Sequence, residues 1–155
     1  MSDVKRYILL IFIFCFFDYS NAEITSSLLS KAEKLPIEMR IVRNCGNWQY
    51  GNKNGYYRLI IGDVYDGAGS EIYVQWITNP TQEKKSELIK TLAFPELNDD
   101  HAQYYFKSVD CKKIGKSTYV KLKALLEHDQ IDKVHNISIK LIDIGSYKII
   151  EKNEK

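Results

Sequence analysis

Histidine is scarce in this chain: three residues, His101, His128 and His135, among 155. An exported hydrolase usually draws its base or its metal ligand from histidine, so the shortage narrows where chemistry can sit. The spaced motifs that announce catalysis or metal binding are missing as well, namely HExxH, GxSxG, CxxC and histidines paired at zinc spacing. Asp63-Val64-Tyr65-Asp66-Gly67 lacks the alternating oxygen ligands and closing glutamate of a calcium loop. Gly67-Ala68-Gly69 lacks the third glycine of a dinucleotide fingerprint. Both stretches read as turns, and neither a cofactor nor a metal is expected.

Charge of one sign is lacking too. Lys and Arg number 22 against 20 Asp and Glu, a net charge of +2. The signs are mixed along the chain, which gives no ground for a nucleic-acid partner, because that requires a concentrated basic face.

Long apolar runs are limited to one, the 11 residues 7–17. It follows Lys5 and Arg6 and precedes the polar residues 18–22, the order of zones in a secretory signal peptide. As a helix rising about 1.5 Å per residue, it spans about 16 Å, half of a roughly 30 Å hydrocarbon core. Ser20 and Ala22 offer the small side chains a signal peptidase reads, which places the cut before Glu23. Cys15 is a poor lipoprotein cysteine, because bulky Phe12-Ile13-Phe14 stands where small residues are needed. The expected organisation is a cleavable signal peptide at 1–22, a single exported β-rich domain at 23–150 and a frayed tail at 151–155. That domain should be soluble, periplasmic or secreted, with no membrane span of its own.

Cysteine is the last scarcity. Loss of Cys15 leaves Cys45 and Cys111, 66 positions apart. In an oxidising compartment such a pair is most simply a disulfide, and closing a loop of that length stabilises the fold by about 4 kcal/mol in the chain-entropy model.

What is present in quantity is strand-like patterning. Residues 24–35 place Leu28, Leu29, Ala32 and Leu35 on one helical face, and Pro36 ends that helix. Period two then takes over: a short strand at 39–43, a glycine- and asparagine-rich loop at 46–55, and strands at 56–64 and 71–77 joined by an Asp66-Gly67 turn. Ile72, Val74 and Trp76 share one face of the second of these. Residues 83–90 suit a helix and 88–94 a strand, the strand being preferred. Strands follow at 101–111, 118–126, 136–144 and 146–151. The fold class expected is mainly β, an antiparallel β-sandwich or barrel-like sheet of seven to eight strands with one short N-terminal α-helix. The alternative is α+β, a helix packed on a curved antiparallel sheet.

Two places offer candidate chemistry. Asp99-Asp100-His101 and Glu127-His128-Asp129 set carboxylates beside imidazoles, although neighbours on a strand point to opposite faces. The stronger candidate is Trp48, Tyr50, Asn52, Tyr56 and Tyr57, with Asn47, Gln49 and Asn54 interleaved. Aromatic faces and short amides suit a sugar ring or a peptide, the first by stacking and the second by directional hydrogen bonds. The plainer reading of the same residues is that Trp48 and one or two tyrosines fold inward as core. The function expected is a non-enzymatic binding or interaction protein of the cell envelope or extracellular space, with an unknown protein or glycan partner. A small secreted hydrolase using a His/carboxylate pair is the alternative.

Overall fold

The computed structural model describes residues 31–99, 103–127, 129 and 133–152. By its internal contacts the chain divides into two units, Met1–Lys34 and Leu35–Lys155. Of the first unit only 31–34 are described: Lys31 and Ala32 are helical, and the Lys34 amide donates to the Lys31 carbonyl at 3.3 Å. The expected helix at 24–35 and the signal-peptide region therefore lie almost wholly outside the described residues.

Period-two alternation of apolar side chains builds the second unit. Its strands are β1 (Met39–Tyr50), β2 (Lys53–Val64), β3 (Gly69–Thr78), β4 (Leu88–Ala93), β5 (Tyr104–Ile114), β6 (Ser117–Leu126), β7 (His135–Asp143) and β8 (Ser146–Lys152). They form two four-stranded antiparallel sheets, ordered β1-β2-β3-β4 and β5-β6-β7-β8. Each sheet is a meander in which every strand pairs with its neighbour in sequence, so each needs only hairpin connections. The sheets stay open, a sandwich and not a barrel.

One core fills the space between the sheets. Leu59 and Ile61 of β2 and Ile72, Val74 and Trp76 of β3 meet Val120, Leu122 and Ala124 of β6 and Ile137, Ile139 and Leu141 of β7. These are the inward faces the alternation predicts. The preferred strand in the ambiguous stretch is β4, and Phe94 and Leu97 just beyond it are buried in the same core. Asn98 completes that turn by backbone mimicry: its amide donates to the Ile72 carbonyl at 3.0 Å and accepts from the Ile72 amide at 2.9 Å.

A disulfide and an arginine network are among the connections that tie the sheets together. Cys45 of β1 and Cys111 of β5 form a disulfide with a Cα–Cα separation of 5.2 Å. Arg40 of β1 donates to Asp63 Oδ1 at 2.8 Å, to Ser70 Oγ at 3.2 Å and to the Phe106 carbonyl at 2.8 Å, with its guanidinium 5.0 Å from the Tyr105 ring centre. Ser70, itself buried, donates to Asp63 Oδ1 at 3.1 Å. The planar fork of arginine suits this role, since one side chain serves a carboxylate on β2 and a carbonyl on β5 at once.

The expected loop at 46–55 is corrected by the ladder. β1 continues to Tyr50 and β2 begins at Lys53, leaving only Gly51 and Asn52 as the turn. A β-bulge explains the difference. The β1–β2 register shifts between Asn44 and Asn47, where Gly46 takes φ +93° and Asn44 Oδ1 accepts the Gly46 amide at 2.8 Å. The extra residue breaks the period-two pattern while the ladder continues. The expected tail also shortens: Glu151 and Lys152 belong to β8, and 153–155 lie outside the described residues.

Candidate functional site

At one end of the sandwich the β1–β2 and β5–β6 hairpins and the end of β7 surround an open cleft of about 530 Å³. Trp48 and Tyr57 form its aromatic part. Trp48 faces inward because the bulge leaves it three residues after Cys45, so both are buried despite the odd spacing. Its indole Nε1 donates to the Tyr56 carbonyl at 3.0 Å. The ring lies over Gly55, where a methyl group in place of the glycine hydrogen would meet it at 2.8 Å. Tyr57 packs edge-on against Trp76, ring centres 5.6 Å apart. Burial, with the Asp143 carboxylate second, raises the pKa of the Tyr57 hydroxyl, so it stays protonated and able to donate.

The rest of the lining is polar. Asn47 and Gln49 come from β1, Asn54 from β2 and Asn79 from just past β3, while Lys113 ends β5 with Ile114 and Lys116 lies in the β5–β6 turn. Asn79 Nδ2 donates to Asn54 Oδ1 at 2.9 Å, and the Asn79 amide to the Asn54 carbonyl at 3.2 Å. This amide pair also lines a second, shallower depression of about 380 Å³ that carries Lys53, Lys84 and Lys85 with Glu87. No carboxylate and no imidazole lines the larger cleft among the described residues. Its chemistry is that of amide donors and acceptors and two cations beside aromatic edges.

The sequence-predicted site residues divide. Trp48 and Tyr57, 5% and 6% exposed, line the cleft from within the core. Tyr56, on the opposite face of β2, is half-buried. Tyr50 is 57% exposed and lines neither depression, whereas Asn52 stands in the adjoining turn and lines the second. Asn79, Lys113 and Lys116 were missed, because they lie on separate hairpins that only the sandwich topology brings to one end.

His101 and His128 lie outside the described residues. His135 opens β7, buried, with Nε2 2.8 Å from Asp129 Oδ2 and its ring edge-on to Tyr104 at 6.3 Å. Neither His135 nor Asp129 lines either depression. Among the described residues no group of three or more His, Cys, Asp or Glu is placed to hold a metal. Nor is any helix among them long and apolar enough to cross a membrane.

Fold and cleft together define a disulfide-linked, two-meander β-sandwich with a polar end cleft. No family model, no curated protein and no solved structure matches the chain.

Proposed function

We propose that the chain is an exported, non-enzymatic binding domain whose end cleft takes a hydroxyl-rich ligand carrying an anionic group, a glycan with a carboxylate being the chemistry that fits. The observation that carries the reading is the lining itself: four side-chain amides and two lysines beside Trp48 and Tyr57. Amides offer both donor and acceptor to sugar hydroxyls, aromatic edges cover the apolar face of a pyranose ring, and lysine supplies a point charge for the anion. The cysteine pairing supports export, since disulfides persist in oxidising compartments. The hydrolase alternative has the His135–Asp129 contact in its favour, but that pair sits off the cleft, at the entry to β7.

The test is a glycan array probed with protein purified from an exporting host, followed by calorimetric titration of the best acidic oligosaccharide. Lys116→Glu and Asn79→Asp, both at exposed positions, should each weaken binding about tenfold, the loss of one charge-assisted or paired hydrogen bond at about 1.4 kcal/mol. Binding unaffected by both changes, or an array on which no acidic glycan is bound, overturns the glycan reading.

A further inference from the structure

The outward face of the second sheet gathers lysine that looks evenly mixed in the sequence. Cross-strand register sets Lys112 opposite Tyr119, Tyr119 opposite Lys140, and Lys140 opposite Lys148. The next row runs Asp110, Lys121, Ser138, Ile150, and the one after it begins Ser108, Lys123, Asn136. Five lysines thus share the described part of this face with one carboxylate, Asp110. At a strand spacing of about 4.8 Å and a two-residue repeat of about 6.7 Å their stems rise as a regular array.

Their charges are not matched in number on this face. The ion pairs found among the described residues lie elsewhere, at Arg40–Asp63 and His135–Asp129. Lys140 and Lys148 stand directly opposite each other, an arrangement that costs stability in an antiparallel ladder. Between the rows runs a groove of about 510 Å³, edged by Lys121, Lys123 and the one carboxylate Asp110, and furnished with Ser108, Asn136, Ser138 and Ile150.

The shape and chemistry select among polyanions. Single-stranded nucleic acid needs stacking platforms, and the central rows offer one aromatic, the half-buried Tyr119. Duplex recognition leans on arginine forks, and these rows carry none. An anionic bilayer is planar and does not follow a groove, and Ile150 is the one apolar side chain edging it from the described outward face. A linear chain of sugar rings bearing spaced anions fits, with hydroxyls for serine and asparagine and charges for lysine. We propose that the outward face of the β5–β8 sheet binds a linear acidic polysaccharide along the groove edged by Lys121 and Lys123. This surface uses none of the end-cleft residues, so it stands independently of the cleft's proposed ligand.

The experiment compares wild type, K121E/K123E and K121R/K123R on immobilised heparin and on immobilised polygalacturonate, a sulfated and a carboxylated source of the same chemistry. A short DNA duplex and phosphatidylserine vesicles serve as competing polyanions, and circular dichroism checks folding. Wild type should be retained on at least one polysaccharide and elute with salt. K121E/K123E should bind about tenfold or more weakly, because two favourable contacts become repulsive. K121R/K123R, which keeps the charge, should bind as wild type does. Should charge reversal disturb the fold, K121Q/K123Q makes the same comparison. Equal retention of wild type and the charge-reversed variant, or tighter binding to duplex or vesicle than to either polysaccharide, overturns the proposal.

Discussion

Gly55 has no Cβ, and the space one would fill belongs to other atoms. An ideal Cβ there would lie 1.9 Å from the Ile77 carbonyl oxygen and 2.8 Å from the Trp48 ring. The first neighbour is the backbone of β3, so the β2–β3 ladder itself would have to move. Gly55→Ala should therefore cost about 3 kcal/mol, the upper part of the overpacking range, as a lowered midpoint in urea unfolding. Gly62→Ala is the control: its nearest neighbour is the Glu38 carbonyl at 3.6 Å, ordinary contact, and the change should be neutral or stabilise by about 0.5 kcal/mol. A cost at Gly62 equal to that at Gly55 would sink the close-approach explanation. The same residue shows what a sequence conceals. A run of glycine and asparagine reads as loop because both tolerate positive φ. Gly46 and Gly51 do adopt it, whereas Gly55 serves close approach within a strand.

Strands with a strict two-residue repeat were legible from alternation alone: β3, β6 and β7 present the expected faces because both sides of each are constrained. β4 was ambiguous for a physical reason. It is a short edge strand whose inward residues, Ile89 and Leu92, are only partly buried, so its pattern is weak. β1 defeated the pattern through its bulge. At the far edge β8 is anchored by Tyr147, which packs edge-on to Phe94 at 4.8 Å and donates to Glu96 Oε2 at 2.7 Å. Burial first, then the hydrogen bond and charge of Glu96, push the Tyr147 pKa from 10.0 to about 12. Tyr73, hydrogen-bonded to Glu71, is raised to about 12 in the same way. In both cases the folded state holds its proton more tightly than the unfolded one. The stability this confers is whole below pH 10 and is lost as pH rises through about 12. Tyr147→Phe should therefore lose less stability than wild type between those two limits, and Y73F/Y147F less again, by urea midpoints taken on each side of the window. Identical alkaline slopes in all three proteins would contradict the assignment.

At the scale of the molecule the two sheets differ in how they are made and how they are joined. Each meander closes through hairpins between sequence neighbours, so β1–β4 and β5–β8 are locally specified. Their apposition is not, and it placed the end cleft beyond the reach of sequence reasoning: Asn47, Asn79 and Lys116 become neighbours only after one meander lies on the other. The lysine face was hidden likewise, since alternation sorts charges by side and the linear sequence averages them. What holds the apposition is the shared core, the Arg40 contacts and the Cys45–Cys111 bond, the last joining the first strand of one sheet to the first of the other. A cross-link spanning 66 residues removes unfolded-state freedom worth about 4 kcal/mol. C45A/C111A should thus unfold at a lower urea concentration by an amount within about 2–5 kcal/mol. Its urea dependence should steepen, because an uncrosslinked chain exposes more surface on unfolding. Dithiothreitol should shift wild type towards the variant and leave the variant unmoved. A reductant-insensitive wild type in which Cys45 and Cys111 both react with a thiol reagent under native conditions would show that the sheets are held by packing alone.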